Sequence, residues 1–374
     1  MDKLTLIFSD IEAGSGTNTD DLVEEDLLCQ VIRNNFAYAK KYPTDLVLNG
    51  DIFDFMKSPY KKEYPRHITE PISLWKLEKI AKAHPLFLGV LKEFLKVNKR
   101  TRIVFVYGNH DFDLMFPKVK EEILNLIVGK DKKLRERIIF PGFEFSDDLL
   151  LVEHGSQLDE FFSVDPENFL FNIEGYFIGE PFLKLPWGYN ALYDYYIYLK
   201  EKLPLLERLF PKKMLLNLLP FEARMSMIWG TVWYMFKSFF YTQVKNWNDV
   251  LYRFHIKDFY KYFKHFTKRE FHVVVRRRAK KKLREIDQEL LSVGHNHKPG
   301  MIKVGKKTLL NTGTWRDEYY YNWRNQMFEP MDKSYGFVVH NKNKIKEMKL
   351  IYVPSEQEDI PRFRLNEWFK KTKN

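Results

Sequence analysis

Five short polar blocks, each following an apolar run, hold the residues of this chain best suited to chemistry. They are Ser9-Asp10-Ile11-Glu12, Asn49-Gly50-Asp51-Ile52-Phe53-Asp54, Gly108-Asn109-His110-Asp111, Glu153-His154-Gly155 and Gly294-His295-Asn296-His297. Carboxylates, imidazoles and an amide oxygen in one place can hold two divalent cations. Such a pair of cations, roughly 3.5–4 Å apart, can generate a strong nucleophile at neutral pH and absorb the charge on a phosphoryl group, which is what hydrolysis of a phosphate ester requires. A carboxylate such as Asp51 can bridge both cations. The mixed oxygen and nitrogen set suits Mn²⁺, Fe or Zn²⁺ better than Cu(I), which prefers sulfur, and the chain has only one cysteine, Cys29. A bland alternative has Asp51 and Asp54 capping a helix and His295 and His297 filling a polar turn. It explains each block separately but not five in succession at the ends of apolar runs.

Elements must bring these blocks together. Leu4–Phe8, Leu46–Leu48, Ile103–Tyr107, Leu149–Val152 and Leu290–Val293 are short apolar runs that read as buried strands. Asp26–Tyr42 has helical spacing, with Leu27, Leu28, Val31, Ile32 and Phe36 on one side, and Leu86–Val97 reads as a second helix. Thr308–Leu310, Gly336–His340 and Met348–Val353 read as antiparallel strands closing a second sheet. The expected fold class is α/β, two packed sheets flanked by helices. The loop Ala13-Gly-Ser-Gly-Thr-Asn-Thr-Asp20-Asp21 lacks the Gly-Lys-Ser/Thr of a nucleotide P-loop, so it reads as a rim of the site, with Asp20 and Asp21 as caps for the next helix.

The whole chain sets bounds. Its 374 residues allow one elaborated domain or two. A single cysteine excludes an internal disulfide and fits a reducing compartment. The opening Met1-Asp-Lys-Leu-Thr-Leu-Ile-Phe-Ser-Asp10 is too short an apolar run, and acidic too early, for a signal peptide, so a cytoplasmic location is expected. The net charge of +11 and the 16% aromatic content point to an anionic partner.

The order Asp-x-(His), Gly-Asp-x-x-Asp, Gly-Asn-His-Asp, His-Gly and Gly-His-x-His resembles the calcineurin-like metallophosphoesterase superfamily, over about residues 3–155 and 290–353. That resemblance implies a four-layer αββα two-sheet sandwich. Residues 1–157 and 290–374 would form the metallophosphoesterase domain, with 158–289 inserted as a helical, aromatic and basic cap. It also implies a first metal on Asp10, Glu12, Asp51 and His297, and a second on Asp51, Asn109, His154 and His295. His110 would be the general acid, its tautomer held by Asp54 or Asp111. The family usually has histidine where this chain has Glu12. A carboxylate there hardens the first site toward Mn²⁺ or Mg²⁺ if it ligates; otherwise Glu12 points away and the first site is weak. Two divalent cations, Mn foremost with Fe, Zn or Mg as substitutes, are the implied cofactors.

The insert bears on the substrate. Met214–Val244 is apolar and aromatic, but its run Met225–Phe236 is bounded too tightly by Glu222, Arg224 and Lys237 to span a bilayer, leaving a private cap core or an apolar face for lipid. Arg253–Arg284 follows with the run Arg276-Arg-Arg-Ala-Lys-Lys-Lys282, which suits an anionic membrane surface at about 1 kcal/mol per nearby cation, or nucleic acid phosphates. The cap position and the ending Asn311-Thr-Gly-Thr-Trp315 are most similar to the UDP-2,3-diacylglucosamine hydrolases. In that family arginine usually stands where this chain has His110, and the lid is shorter. Arg316 is a candidate substrate contact. The expectation is a phosphohydrolase that cleaves a phosphoester or pyrophosphate with metal-activated hydroxide, its partner a phosphorylated small molecule or lipid met at a membrane by the cap. A nuclease acting on DNA or RNA and a non-catalytic metal-binding scaffold are the alternatives.

Overall fold

In the computed structural model, residues 1–171, 180–186 and 271–355 are described, together with scattered positions from 189 to 233. Most of the expected cap, including 234–270 and nearly all of Met214–Val244, lies outside the described residues.

Four parallel strands build the first sheet: β1 (Lys3–Phe8), β2 (Thr44–Asn49), β3 (Thr101–Val106) and β4 (Ile138–Gly142). A second sheet contains β5 (Glu144–Ser146), β6 (Leu150–Glu153), β10 (Leu290–Val293), β11 (Gly300–Val304) and β12 (Lys307–Asn311), in the order β11-β12-β10-β6-β5. Two small sheets are separate from these: β7 (Leu170–Phe171) pairs with β8 (Phe182–Leu183), and β9 (Leu209–Phe210), β13 (Tyr319–Asn322) and β14 (Met327–Pro330) form three strands in the order β14-β13-β9. Of the late strands expected to close the second sheet, only β12 does so, and it runs parallel to β10. β15 (Lys333–His340) instead lies antiparallel to β1, and β16 (Ile345–Val353) antiparallel to β15, extending the first sheet. All eight residues of β15 are buried, as expected for a strand flanked on both sides.

The apolar side chains sort into three interfaces. Leu4, Leu6, Phe8, Leu46, Leu48, Ile103 and Phe105 pack against helices α1 (Glu25–Asn34), α2 (Phe36–Lys41), α3 (Glu70–Ala83), α4 (Pro85–Val97) and α5 (Pro117–Val128). Alternate residues of the same strands, Ile7, Val47, Val104 and Val106, meet Leu150, Val152, Leu290 and Leu310 between the sheets. On the far side of the second sheet, Leu151, Leu291, Val293 and Leu309 receive Ala279 and Leu283 from the helix Phe271–Glu285. The two-residue side-chain period of a strand thus serves a core on each face of both sheets. That last helix falls inside the span read as cap, yet its apolar side covers the second sheet. Arg276, Arg277, Lys281 and Arg284 are exposed on its other side.

The single helix expected over Asp26–Tyr42 is broken in two. Asn35 is buried at the junction, where its amide donates to Val31 O at 2.9 Å and to Tyr335 Oη at 3.3 Å. A short polar side chain that bonds nearby backbone competes with the helical ladder, and here a long-range partner holds it in place. No helix among the described residues is long and apolar enough to cross a membrane.

Candidate metal centre

The five blocks meet because each follows a strand whose direction is shared. In both sheets the parallel strands end at the same edge of the molecule, the usual place for a site in an open α/β sheet. Backbone bonds then stitch the loops together: Asp10 N–H donates to Gly50 O at 3.1 Å, Glu12 N–H to Asp51 O at 2.8 Å and Gly294 N–H to His154 O at 2.8 Å. Asn49 links the sheets, its amide donating to Glu153 O at 3.0 Å while its own carbonyl accepts from Ser9 Oγ and His154 Nδ1.

These connections converge on three groups of potential ligands, in each of which one atom per residue lies within 4.8 Å of the others: Asp10, Glu12 and His297; Asp51, His154 and His295; and Glu12, Asp54 and His110. His297 Nε2 is 3.1 Å from Asp10 Oδ1 and 3.4 Å from Glu12 Oε1. His154 Nε2 is 3.1 Å from Asp51 Oδ2, and Asn109 Oδ1 lies 3.2 Å from the same nitrogen. The residues expected from the resemblance to hold metal thus lie in two adjoining groups, which approach each other where His154 Nε2 is 3.9 Å from Asp10 Oδ1.

The backbone is bent to achieve this. Asp10, Glu12, Asp51, His295 and His297 all have left-handed conformations, with φ between 52° and 66°. For non-glycine residues such conformations cost roughly 1–3 kcal/mol each and tend to collect at functional sites. Two glycines make room. A Cβ at Gly108 would stand 2.2 Å from Asp51 Oδ1, and one at Gly294 would stand 2.4 Å from Asp10 Oδ2.

Second contacts orient the imidazoles. His154 Nδ1 donates to Asn49 O at 3.0 Å, and His297 Nδ1 lies 2.7 Å from Glu318, so in each ring Nε2 faces the carboxylates. His295 Nε2 is 3.2 Å from Asp159, so Nδ1 is the ring nitrogen that could ligate. Such partners fix the tautomer of a ligating histidine. For His110 the partner is Asp54, with Oδ1 3.1 Å from Nδ1. Asp111, the other candidate for that task, instead accepts the backbone N–H groups of Ile52 and Gly108 at 2.9 and 2.6 Å. It clamps the loops, and burial together with the nearby Asp51 raises its carboxyl to about 7.

Burial alone would lower the histidine pKa values, but the surrounding carboxylates outweigh it. Asp51 and Asp10 lift His154 to about 10. Asp51, Asp54 and Glu12 lift His110 to about 9, and Glu318 and Asp10 do the same for His297 against the opposing Arg316. Burial disfavours the Asp51 charge, yet His154 and His110 hold its carboxyl below the usual range.

Several groups were not visible as a motif. Lys57 is buried against Glu12, Asp21 at 2.6 Å, Asp54 at 2.8 Å and Glu207 at 3.3 Å. Lys200 is equally buried and pairs with Asp21 and Glu207. Asp21 thus belongs to an ion cluster and caps nothing, while Asp20 accepts from the N–H groups of Gly14, Gly16 and Leu22 inside its own loop. Arg316, expected at a substrate, is 5% exposed and turned inward onto Glu12 and Glu318, because the carboxylates there outnumber the other cations. Isolated charged residues in an aperiodic loop carry no spacing signal; the only hint was that a lysine follows Asp54 by three positions.

The donor set fits divalent cations. Carboxylates Asp10, Glu12, Asp21, Asp51, Asp54, Glu207 and Glu318 outnumber the permanent cations Lys57, Lys200, Arg208 and Arg316; the protonated His110, His154 and His297 make up the balance, a counter-charge that divalent cations would take over. Glu12 Oε1 is buried without a hydrogen-bond donor.

The sequence matches no protein-family profile and no curated protein. Among solved structures, the chain is similar to one described as a "Putative 5'-Nucleotidase" from Staphylococcus aureus in complex with alpha-ketoglutarate, at 10% identity and a TM-score of 0.33. The match covers 100% of this chain, which spans only 58% of the other, and a likeness so faint does not bear on function.

Proposed function

We propose that this chain is a metal-dependent phosphohydrolase on a four-layer αββα scaffold of the metallophosphoesterase type. The observation that carries the reading is the pairing of two ligand clusters, Asp10/Glu12/His297 and Asp51/His154/His295, at one edge of two sheets, with a buried carboxylate oxygen of Glu12 left without a hydrogen bond in the first of them. Asp51, with Asn109 beside it, would be common to both metals. Two bound divalent cations would supply an activated water and neutralise charge on the phosphoryl oxygens.

The chain's own groups do the rest. His110, on the partly open side of the cluster, keeps Nδ1 on Asp54 and carries Nε2 3.9 Å from Asp51 Oδ2. Asp54, which is assigned to neither metal, faces Nδ1 and favours a protonated ring, from which Nε2 would pass a proton to the leaving oxygen. Asp54 holds the ring in that orientation, and Asp111 keeps Gly108 and Ile52 in register beneath it. We further propose an amphiphilic phosphate or pyrophosphate ester, lipid-linked or nucleotide-linked, with the 158–289 segment as cap. The support is the aromatic composition of that segment and the exposed Arg276, Arg277, Lys281 and Arg284 on its last helix, which would meet an anionic surface.

The test is an assay of metal-stripped protein restored with Mn²⁺, Mg²⁺, Zn²⁺ or Fe²⁺ against a monoester, a diester, UDP-diacylglucosamine and single-stranded DNA. Metal-dependent turnover of the lipid pyrophosphate is expected. Preference for DNA would make the exposed cations a nucleic-acid track, and stoichiometric metal without turnover would leave a scaffold.

A pH signature accompanies this reading. His154 and His297 are protonated in the metal-free chain at pH 7 and must be neutral to ligate, so binding releases protons and affinity climbs as pH rises toward 9–10. Stability of the metal-free chain has the opposite slope: raised histidine pKa values stabilise it fully below about pH 6.5, a contribution lost as pH rises through 9–10. Titration calorimetry in buffers of different ionisation enthalpy checks the proton release. Metal binding independent of buffer and pH would refute it.

A further inference from the structure

The two oxygens of Glu12 are treated differently. Oε2 takes the Lys57 ammonium and stands 3.5 Å from Arg316 Nη1. Oε1 is buried, has no hydrogen-bond donor, and lies 3.4 Å from His297 Nε2, itself 3.1 Å from Asp10 Oδ1. A carboxylate gripped on one oxygen by fixed cations cannot rotate its other oxygen away.

Lys57 is in turn held in place. Its backbone N–H donates to Asp54 Oδ1 at 2.9 Å and its carbonyl accepts from Thr19 Oγ1 at 2.7 Å. Its ammonium sits among Asp21, Asp54 and Glu207, the last a residue of the inserted segment that also pairs with Lys200. The Lys57 ammonium makes no ion pair with Asp10, so it does not occupy the Asp10/Glu12/His297 cluster itself.

We infer that Lys57 is a positioning residue that locks Glu12 as a one-oxygen ligand of the first metal, and that the inserted segment, through Glu207, helps hold Lys57 there. This rests on the metal-binding reading above. It gives the acidic residue at position 12 a physical basis. Lys57 and Arg316 offset the charge that a second carboxylate adds beside Asp10, so the site keeps hard oxygen ligands without repelling Asp51. The expected consequence is a first site that prefers Mn²⁺ or Mg²⁺ over Zn²⁺.

The test uses the full chain and Mn²⁺ as probe, with binding followed by calorimetry and by electron paramagnetic resonance. Lys57→Met alone would strand several buried carboxylates and endanger folding. The working variant is therefore Lys57→Met with Glu207→Gln, which removes one charge of each sign and leaves Asp21 on Lys200; thermal melts confirm that it folds. A His154→Ala background isolates the first site. Wild type should bind two Mn²⁺, and the double variant should lose roughly 10–100-fold at the first site, the usual scale for a lost orienting contact, with the second unchanged. Adding Glu12→His should restore first-site binding, since an imidazole needs no ammonium clamp. Equal first-site affinity in wild type and double variant would overturn the inference. Tighter binding in the variant would also overturn it, because Lys57 would then be standing in for a cation. A wild type that binds no Mn²⁺ would refute the metal-binding reading itself.

Discussion

Asp51→Asn is expected to abolish metal-dependent hydrolysis while leaving the fold intact. Asparagine tolerates the left-handed backbone that position 51 requires, with φ of 52°, and its amide is nearly isosteric with the carboxylate. The His110 N–H that donates to Asp51 Oδ1 at 2.7 Å can still find an oxygen there. What disappears is the negative charge on Oδ2, 3.1 Å from His154 Nε2, in the one carboxylate assigned to both cations. A loss of about 10³-fold in kcat/KM, or about 4 kcal/mol of transition-state stabilisation, is the expected scale. Metal analysis and a thermal melt of the same preparation separate the causes. Full metal content with full activity would show that Asp51 is not shared between the cations, and a collapsed melt would show a structural role instead.

Gly108→Ala should do comparable damage by a different route. The added methyl would lie 2.2 Å from Asp51 Oδ1, 2.3 Å from Asp51 N and 2.9 Å from Gly50 C. Two of these are backbone atoms that cannot swing aside, and they belong to the turn that carries Asp51. Overpacking in cores costs about 1–3 kcal/mol and occasionally more, and a contact this close belongs at the upper end. Metal binding should fall along with stability, since relief of the clash moves Asp51. Gly89→Ala is the internal control. It lies exposed in α4 with nothing within 4 Å of its added Cβ, so relief of glycine's backbone entropy should raise stability by about 0.5–1 kcal/mol. Denaturant melts of both variants suffice, and equal effects at the two positions would mean that the close approach at Gly108 is not a constraint.

The inward-facing Arg316 illustrates where sequence reasoning stops. A lone arginine after Trp315 reads as a ligand contact, although Asp317 and Glu318 follow it directly and Glu318 turns out to be one of its partners. Its partner Glu12 comes from the far end of the chain, and Lys57 meets Glu207 only because the inserted segment returns to the edge of the first sheet. Ion pairs of this kind leave no periodic trace.

What the sequence by itself determined was local. Short apolar runs marked β1, β2, β3, β6 and β10, and the polar blocks at their ends were readable because a strand's direction dictates where the next residues emerge. The glycines of Gly-Asn-His-Asp and Gly-His-x-His could be read as part of those blocks, but the reason no Cβ fits there is tertiary, because the space at Gly108 is taken by Gly50 and Asp51 and that at Gly294 by Ser9 and Asp10. Tertiary structure alone decided which sheet received β15 and β16, where Asn35 broke the first helix, and that the basic helix Phe271–Glu285 lays its apolar side on the second sheet. Each of those outcomes depends on a partner far away in the chain. The same reason hides the ion cluster around Lys57: charge pairing inside a folded protein is set by proximity in space, and spacing along the chain does not encode it.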